Sequence, residues 1–129
     1  MKILSKILVV DDDEDVLTVL RYCFSSNPAI ELQCVRSGEE ALHWVLEHQP
    51  DLILLDAMMP YMDGIATCKA LKLIPTLSKV PIVFLTAKTQ KKEIEEYLAL
   101  GAIGVITKPF DALTLVQEVL CLWEGFQKQ

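Results

Sequence analysis

No apolar run in the chain approaches the roughly 18 residues that a membrane-spanning helix requires. Basic runs are missing too. Lys91-Lys92 comes nearest, and Glu93, Glu95 and Glu96 follow at once, so with a net charge of −6 the chain is not built for non-specific contact with nucleic acid. The four cysteines, Cys23, Cys34, Cys68 and Cys121, form no C-x-x-C pair, and each falls inside an apolar-periodic segment. That pattern predicts buried free thiols in a reducing compartment, not a disulfide framework. "MKILSKILVVDDD" is interrupted by Ser5-Lys6 and ends in acid, which does not make a secretory signal, and the expected location is the cytoplasm. "DDDEDVLTVLRY" lacks the glycine and ligand spacing of a calcium-binding EF-hand loop. Low-complexity segments, interior linkers and repeats of solenoid length are likewise missing.

What is present is alternation. At 129 residues, 52% of them apolar, the chain is long enough for one domain with a core of its own. Ile7–Val10, Leu32–Val35, Leu52–Leu55, Ile82–Leu85 and Ile103–Ile106 read as strands, and three of these are unbroken apolar runs of the kind buried on both faces. Between them Val16, Leu17, Leu20 and Phe24 share a helical face, as do Ala41, Leu42 and Val45, then Ile65, Cys68 and Leu71, then Ile94 and Leu98. The last helix carries Leu113, Val116, Leu120 and Trp123 as its expected core stripe. Ser37-Gly38, Pro50, Asp63-Gly64, Pro75, Pro81 and Gly101 punctuate these segments. Strand and helix repeated five times predict an α/β fold: a parallel sheet with right-handed crossovers and helices on both faces.

In such a sheet the functional crevice lies beyond the carboxyl ends of the strands. The first strand ends in Asp11 and Asp12, the third in Asp56, the fourth in Thr86, and the fifth runs into Lys108. A helix N-terminus accommodates one or two of the five consecutive carboxylates at residues 11–15, with Asp13 the expected cap. Asp11, Asp12 and Asp56 would repel one another unless neutralised. Either they protonate and bind nothing, or a hard cation joins them. Mg²⁺ takes one or two carboxylates, keeps waters and shares a phosphate. A carboxylate beside Mg²⁺ is a nucleophile for phosphoryl transfer, and Asp56, on the central strand, is best placed, with Lys108 as point charge and Thr86 as hydroxyl donor.

In order, "ILVVDDDE", "PDLILLDAMMPYMDG", "VPIVFLTA" and "GVITKPF" resemble the conserved segments of a response-regulator receiver domain of two-component signalling, over about residues 5–124. The resemblance implies a single receiver domain over residues 1–129, with a flavodoxin-like (βα)5 sheet in strand order 2-1-3-4-5. It implies Asp12 as a direct Mg²⁺ ligand, Asp11 acting through water, and the Met58 backbone carbonyl completing the metal site. Asp56 would accept phosphoryl from a sensor histidine kinase or histidine phosphotransfer protein, and Thr86 and Lys108 would hold its oxygens. Pro109 follows the lysine as in the family, where that bond is commonly cis. Met58 and Lys88, two residues past the nucleophile and the threonine, would influence phosphate lifetime. One departure is Val105, where the family often carries an aromatic that swings inward on activation. Thr86 would then act with the loop around Lys88–Lys92.

The implied function is a switch, not an enzyme on an external substrate. Its output would go to a downstream protein or a second copy through the helix 4–strand 5–helix 5 face, with no direct nucleic-acid or membrane contact. A second stripe on the last helix, Leu115, Val119, Leu122 and Phe126, reads either as packing or as part of that face. His43 and His48 are too badly spaced for one ligand site and read as surface residues. The competing assignment is a Mg²⁺-dependent phosphohydrolase of the haloacid-dehalogenase type, matched through D-x-D at Asp11 and Asp13 but lacking room for a cap.

Overall fold

The computed structural model describes residues 2–129. Strands β1 (Lys6–Val10), β2 (Glu31–Val35), β3 (Leu52–Asp56), β4 (Ile82–Thr86) and β5 (Gly104–Thr107) alternate with helices α1 (Glu14–Phe24), α2 (Gly38–Trp44), α3 (Gly64–Lys72), α4 (Lys91–Ala99) and α5 (Leu115–Gln127). A short 3₁₀ turn, Pro75–Leu77, precedes β4. The five strands form one parallel sheet in the order β2-β1-β3-β4-β5. This is the flavodoxin-like arrangement the resemblance implies.

The sheet separates two apolar layers because alternate strand residues point to opposite faces. Leu8, Val10, Ile53, Leu55, Ile82 and Phe84 meet α2, α3 and α4 through Ala41, Cys68, Leu71 and Tyr97. Ile7, Val9, Leu52, Leu54, Val83 and Leu85 meet α1 and α5 through Leu17, Leu20, Leu115, Val119 and Trp123. All five residues of β3 and of β4 are buried, as central strands require. β2, at the edge, buries only Val35 fully. The expected caps are in place: Asp13, Ser37 and Asp63 each accept a backbone N–H at the start of α1, α2 and α3. Gly101 closes α4 with φ of 100°, a conformation glycine adopts without strain.

Three side-chain expectations need correction. On α5 the buried residues are Leu115, Val119 and Trp123: of the expected stripe Trp123 is buried, Val116 and Leu120 are half-buried, and Leu113, ahead of the helix, is 92% exposed. Both apolar stripes have helical spacing, and only the sheet decides which residues turn fully inward. Leu115 and Val119 therefore belong to the core and not to a partner surface. On α4 Tyr97 is buried, stacked on Phe84 with ring centroids 4.7 Å apart, while Leu98 is 45% exposed. Of the cysteines, Cys23 and Cys68 are buried, but Cys34 is half-buried and Cys121 exposed, all four being free thiols.

At the amino end of β3, Asp51 fastens the start of the chain to the sheet. Its Oδ2 accepts from the Ser5 N–H (2.9 Å), the Ser5 hydroxyl (2.9 Å) and the Lys6 N–H (3.0 Å), and Oδ1 pairs with Lys2 Nζ at 2.9 Å. Burial pushes this carboxyl up, but Lys2 and the Ser5 and Lys6 donors outweigh it and hold it below the ordinary range. Asp51→Ala leaves those donors without their acceptor and is expected to cost about 1–3 kcal/mol in urea denaturation at neutral pH. A lowered carboxyl contributes fully above its unfolded value of 3.8 and loses its effect as pH falls through the folded value. The difference between wild type and Asp51→Ala should therefore shrink in strong acid.

Candidate functional site

The parallel register decides which strand ends meet. Val10 lies beside Leu55, Asp56 beside Leu85, and Thr86 beside Thr107, so the residues that end β1, β3, β4 and β5 share one rim. The carboxylates of Asp11, Asp12 and Asp56 each present an oxygen to one place, all three within 4.8 Å of one another. Asp11 is fully buried. Its Oδ1 accepts from the Asp13 N–H at 2.9 Å and its Oδ2 from Lys108 Nζ at 2.7 Å. Lys108 Nζ also lies 3.3 Å from Asp56 Oδ1. Thr86 is buried with its hydroxyl oxygen accepting from the Lys88 N–H at 2.9 Å. The Met58 N–H donates to Asp56 Oδ1 at 3.2 Å, which brings that peptide against the carboxylate while the Met58 side chain stands 58% exposed.

The crowded acids at 11–15 thus divide by task. Asp11 and Asp12 face the rim. Asp13 caps α1 by accepting from the Asp15 N–H, so the second acid of the D-x-D match is not at the site. Glu14 pairs with Arg21 at 3.1 Å, and Asp15 lies in the first turn, where a helix N-terminus favours negative charge. Arg36 reaches over from the end of β2 and donates to the Asp12 carbonyl at 3.1 Å. Lys108 precedes Pro109 through a cis peptide bond.

Charge at the rim is not fully neutralised by the protein. Burial, then the neighbouring Asp11 charge, push the Asp56 carboxyl up to about 6, with Lys108 and the Met58 N–H pulling it part of the way back. Lys108 is pulled down by burial but raised overall by its two carboxylate partners. The loop after β3 is fixed by close packing. The Gly64 N–H donates to the Ala57 carbonyl at 3.0 Å, and a Cβ on Gly64 would stand 2.3 Å from the Asp56 carbonyl oxygen. Glycine is required there for α3 to begin directly behind the acid.

The family model for the response regulator receiver domain matches residues 7–120. The chain belongs to this family. The receiver domain is 36% identical over 116 residues to the phosphate regulon transcriptional regulatory protein PhoB of Rhizobium meliloti, covering 90% of this chain and 51% of that protein. It is 42% identical over 105 residues to the alkaline phosphatase synthesis transcriptional regulatory protein PhoP of Bacillus subtilis, covering 81% and 42%. The chain therefore spans about half the length of these relatives. Among solved structures, chemotaxis protein CheY4 of Vibrio cholerae superposes with a TM-score of 0.85 at 28% identity, covering 93% of this chain and 99% of that one. The receiver domain of a signal transduction histidine kinase from Syntrophus aciditrophicus gives a TM-score of 0.82 at 32% identity, covering 97% and 94%.

Two features of this receiver domain carry no signal in the sequence pattern. Beside the rim, Asp15, Val16, Val19, Ala87, Lys108, Pro109 and Phe110 line a largely apolar cleft of about 350 Å³. Its residues come from α1 and from the loops after β4 and β5, so no single segment marks it. Tyr61, in the loop after β3, has a φ of 66°.

A carboxyl raised in the folded state makes stability fall as pH rises, because the unfolded chain ionises first. With EDTA present, stability should drop between about pH 4 and pH 6 on this account, from the ordinary 3.8 to the folded value of about 6. Asp56→Asn should flatten that slope and stabilise the metal-free domain at neutral pH by up to about 3 kcal/mol. Urea midpoints measured from pH 4 to 8 on both proteins check this.

Proposed function

We propose that this receiver domain accepts a phosphoryl group on Asp56 in a Mg²⁺-dependent reaction and changes conformation to regulate a partner. The observation that carries the proposal is the meeting of three carboxylate oxygens within 4.8 Å of one another, with Lys108 Nζ against two of those groups. Such an all-oxygen, under-neutralised set fits a hard divalent cation. Asp12 and Asp56 would hold Mg²⁺ directly, Asp11 through water, and the Met58 carbonyl would complete the protein's share. Bound there, Mg²⁺ supplies charge neutralisation on the transferring oxygens.

The chain's own residues do the rest. An Asp56 carboxylate oxygen forms a bond to phosphorus as the P–N bond of a phosphohistidine breaks, and that bond's electron pair stays on the imidazole nitrogen. The Lys108 ammonium, already at the rim, transfers its contact from Asp56 to a phosphoryl oxygen. The Thr86 hydroxyl donates its free proton to another, and its movement toward the phosphoryl group draws its oxygen away from the Lys88 N–H. The reaction needs placement and charge compensation more than covalent help from other side chains. The donor is a sensor histidine kinase or histidine phosphotransfer protein, and the apolar cleft beside Lys108 and Phe110 offers it a seat. There is no external substrate: the domain promotes its own phosphorylation and dephosphorylation, in the cytoplasm.

Loss of the Thr86–Lys88 bond releases the loop that leads into α4, whose cap residue Gln90 donates its N–H to the Glu93 carboxylate at 3.2 Å. With Val105 in place of an aromatic on β5, the signal travels through this loop to the α4–β5–α5 face, where Leu98 and half-buried Val105 are available to a downstream protein or a second copy.

Phosphoramidate with MgCl₂ is expected to add a single 80-dalton group to the wild type and none to Asp56→Asn; labelling elsewhere or in EDTA overturns the proposal. Labelling in MgCl₂ should weaken in acid as Asp56 gains a proton, at a pH below the metal-free value of about 6 because a bound cation favours the carboxylate. In a beryllofluoride complex the Thr86 hydroxyl and residues 88–92 should be displaced relative to the free domain. Unchanged positions for both would remove the loop from the signalling route.

A further inference from the structure

The loop between Asp56 and α3 contains a conformation its sequence does not favour. The Met62 N–H donates to the Pro60 carbonyl at 2.8 Å, so residues 60–62 close a three-residue turn with Tyr61 at its centre. Tyr61 has a φ of 66°, which makes this the rare, strained form of the γ-turn. Glycine or asparagine adopts positive φ far more readily than a bulky aromatic. Packing does not account for the tyrosine, because the residue is 102% exposed. Nearby, Met58 is 58% exposed and Pro60 is exposed, and "AMMPYM" carries no charge between Asp56 and Asp63. The result is an uncharged ridge on the α3 side of the rim. The cleft formed by Val16, Val19 and Phe110 lies on the α1–α5 side. Asp56, 4% exposed, is between the two.

We propose that the ridge formed by Tyr61 and Met58 is a docking contact for the protein that delivers the phosphoryl group, and that Tyr61 sets discrimination among such donors. This rests on the reading of Asp56 as the acceptor. A phosphohistidine must bring phosphorus to bonding distance of a carboxylate that is almost wholly buried. Whatever protein surface bears that imidazole therefore lies over the rim, and a fully projecting tyrosine in the loop that leaves Asp56 is in position to meet it. A small phosphodonor reaches the same oxygen without touching the ridge. Exposed aromatic anchors of low side-chain entropy are what protein contacts use most effectively. Backbone strain retained for a side chain without intramolecular packing is accounted for by contact with another molecule.

The bonds exchanged are those of the acceptor reaction: O–P forms at Asp56 and P–N breaks at the donor histidine, whose nitrogen keeps the pair. Tyr61 takes part in none of this, which makes it a specificity residue and not a catalytic one.

The test compares wild type, Tyr61→Gly and Tyr61→Phe. Two donors are used: phosphoramidate, and whichever of a panel of purified autophosphorylated histidine kinases transfers fastest to the wild type. Tyr61→Gly relieves the positive φ, so its urea midpoint should rise, and unfolding cannot explain a loss. Transfer from the kinase to Tyr61→Gly should fall about tenfold in kcat/KM, mainly through KM, while phosphoramidate labelling stays within twofold. Tyr61→Phe should retain kinase transfer. Equal kinase transfer to wild type and Tyr61→Gly overturns the inference, and so does an equal fall with both donors, which would place Tyr61 in the chemistry. Failure of phosphoramidate to label the wild type overturns the acceptor reading itself, and this inference with it.

Discussion

The site depends on one ammonium group. Lys108 stands 2.7 Å from Asp11 and 3.3 Å from Asp56, two carboxylates that the sheet has taken out of water. Burying an unpaired carboxylate costs several kcal/mol even after the protein relaxes, so without Lys108 the rim would protonate or open. The pairing spans 97 residues of sequence, from the end of β1 to the end of β5. It exists because three successive parallel registers bring those ends level. Strand order is thus an electrostatic requirement as well as a packing solution. The order β2-β1-β3-β4-β5 puts the acids on adjacent central strands and the lysine on the edge strand, with a long enough side chain to reach back over them.

The same ammonium leaves the rim short of positive charge. In the free domain it divides between two carboxylates and still leaves Asp56 raised to about 6. On the proposed function, a cation and a phosphoryl group arriving together would offer Lys108 a further anion and relieve the carboxylates at once. Thr86 lies at the same rim, its hydroxyl oxygen accepting from the Lys88 N–H and its own proton left free to donate. Behind it, Phe84, two residues earlier on the same face of β4, is stacked on Tyr97. That stack anchors the carboxyl half of α4 to the sheet, so loosening the loop at Lys88 moves the start of the helix more readily than its end.

Much of this was legible in the residues, and the failures share a cause. Unbroken apolar runs located the central strands because burial on both faces leaves no polar position. Asp13, Ser37 and Asp63 announced their helices because capping is a local interaction. The rim residues were legible because each sits at a strand end, where topology alone brings them together. Orientation was not. α5 has apolar residues on two adjacent stripes, and either satisfies helical periodicity; contact with Val83, Leu85 and Ile106 selects Leu115, Val119 and Trp123. A tyrosine among glutamates carries no periodic signal of burial, yet the Tyr97 ring covers Phe84. The cleft at Phe110 and the strained turn at Tyr61 depend on tertiary placement and on a backbone angle, for which the sequence has no periodic signature.

β3 contains a controlled comparison of what separates structure from chemistry. Asp51 and Asp56 flank the same buried strand, and both are nearly sealed from solvent, at 7% and 4% exposure. Burial raises both carboxyls. At Asp51 two backbone N–H groups, a hydroxyl and the Lys2 ammonium converge, and the charge is overcompensated and held low. At Asp56 the donors are one backbone N–H and a lysine shared with Asp11, whose own charge opposes ionisation. The first acid has nothing left to bind and acts as a fastener. The second keeps unmet demand for positive charge, which a cation or an electrophilic phosphorus would meet on the proposed function. Donor supply around two equally buried aspartates, and not burial itself, decides which carboxyl is held low and which is held high.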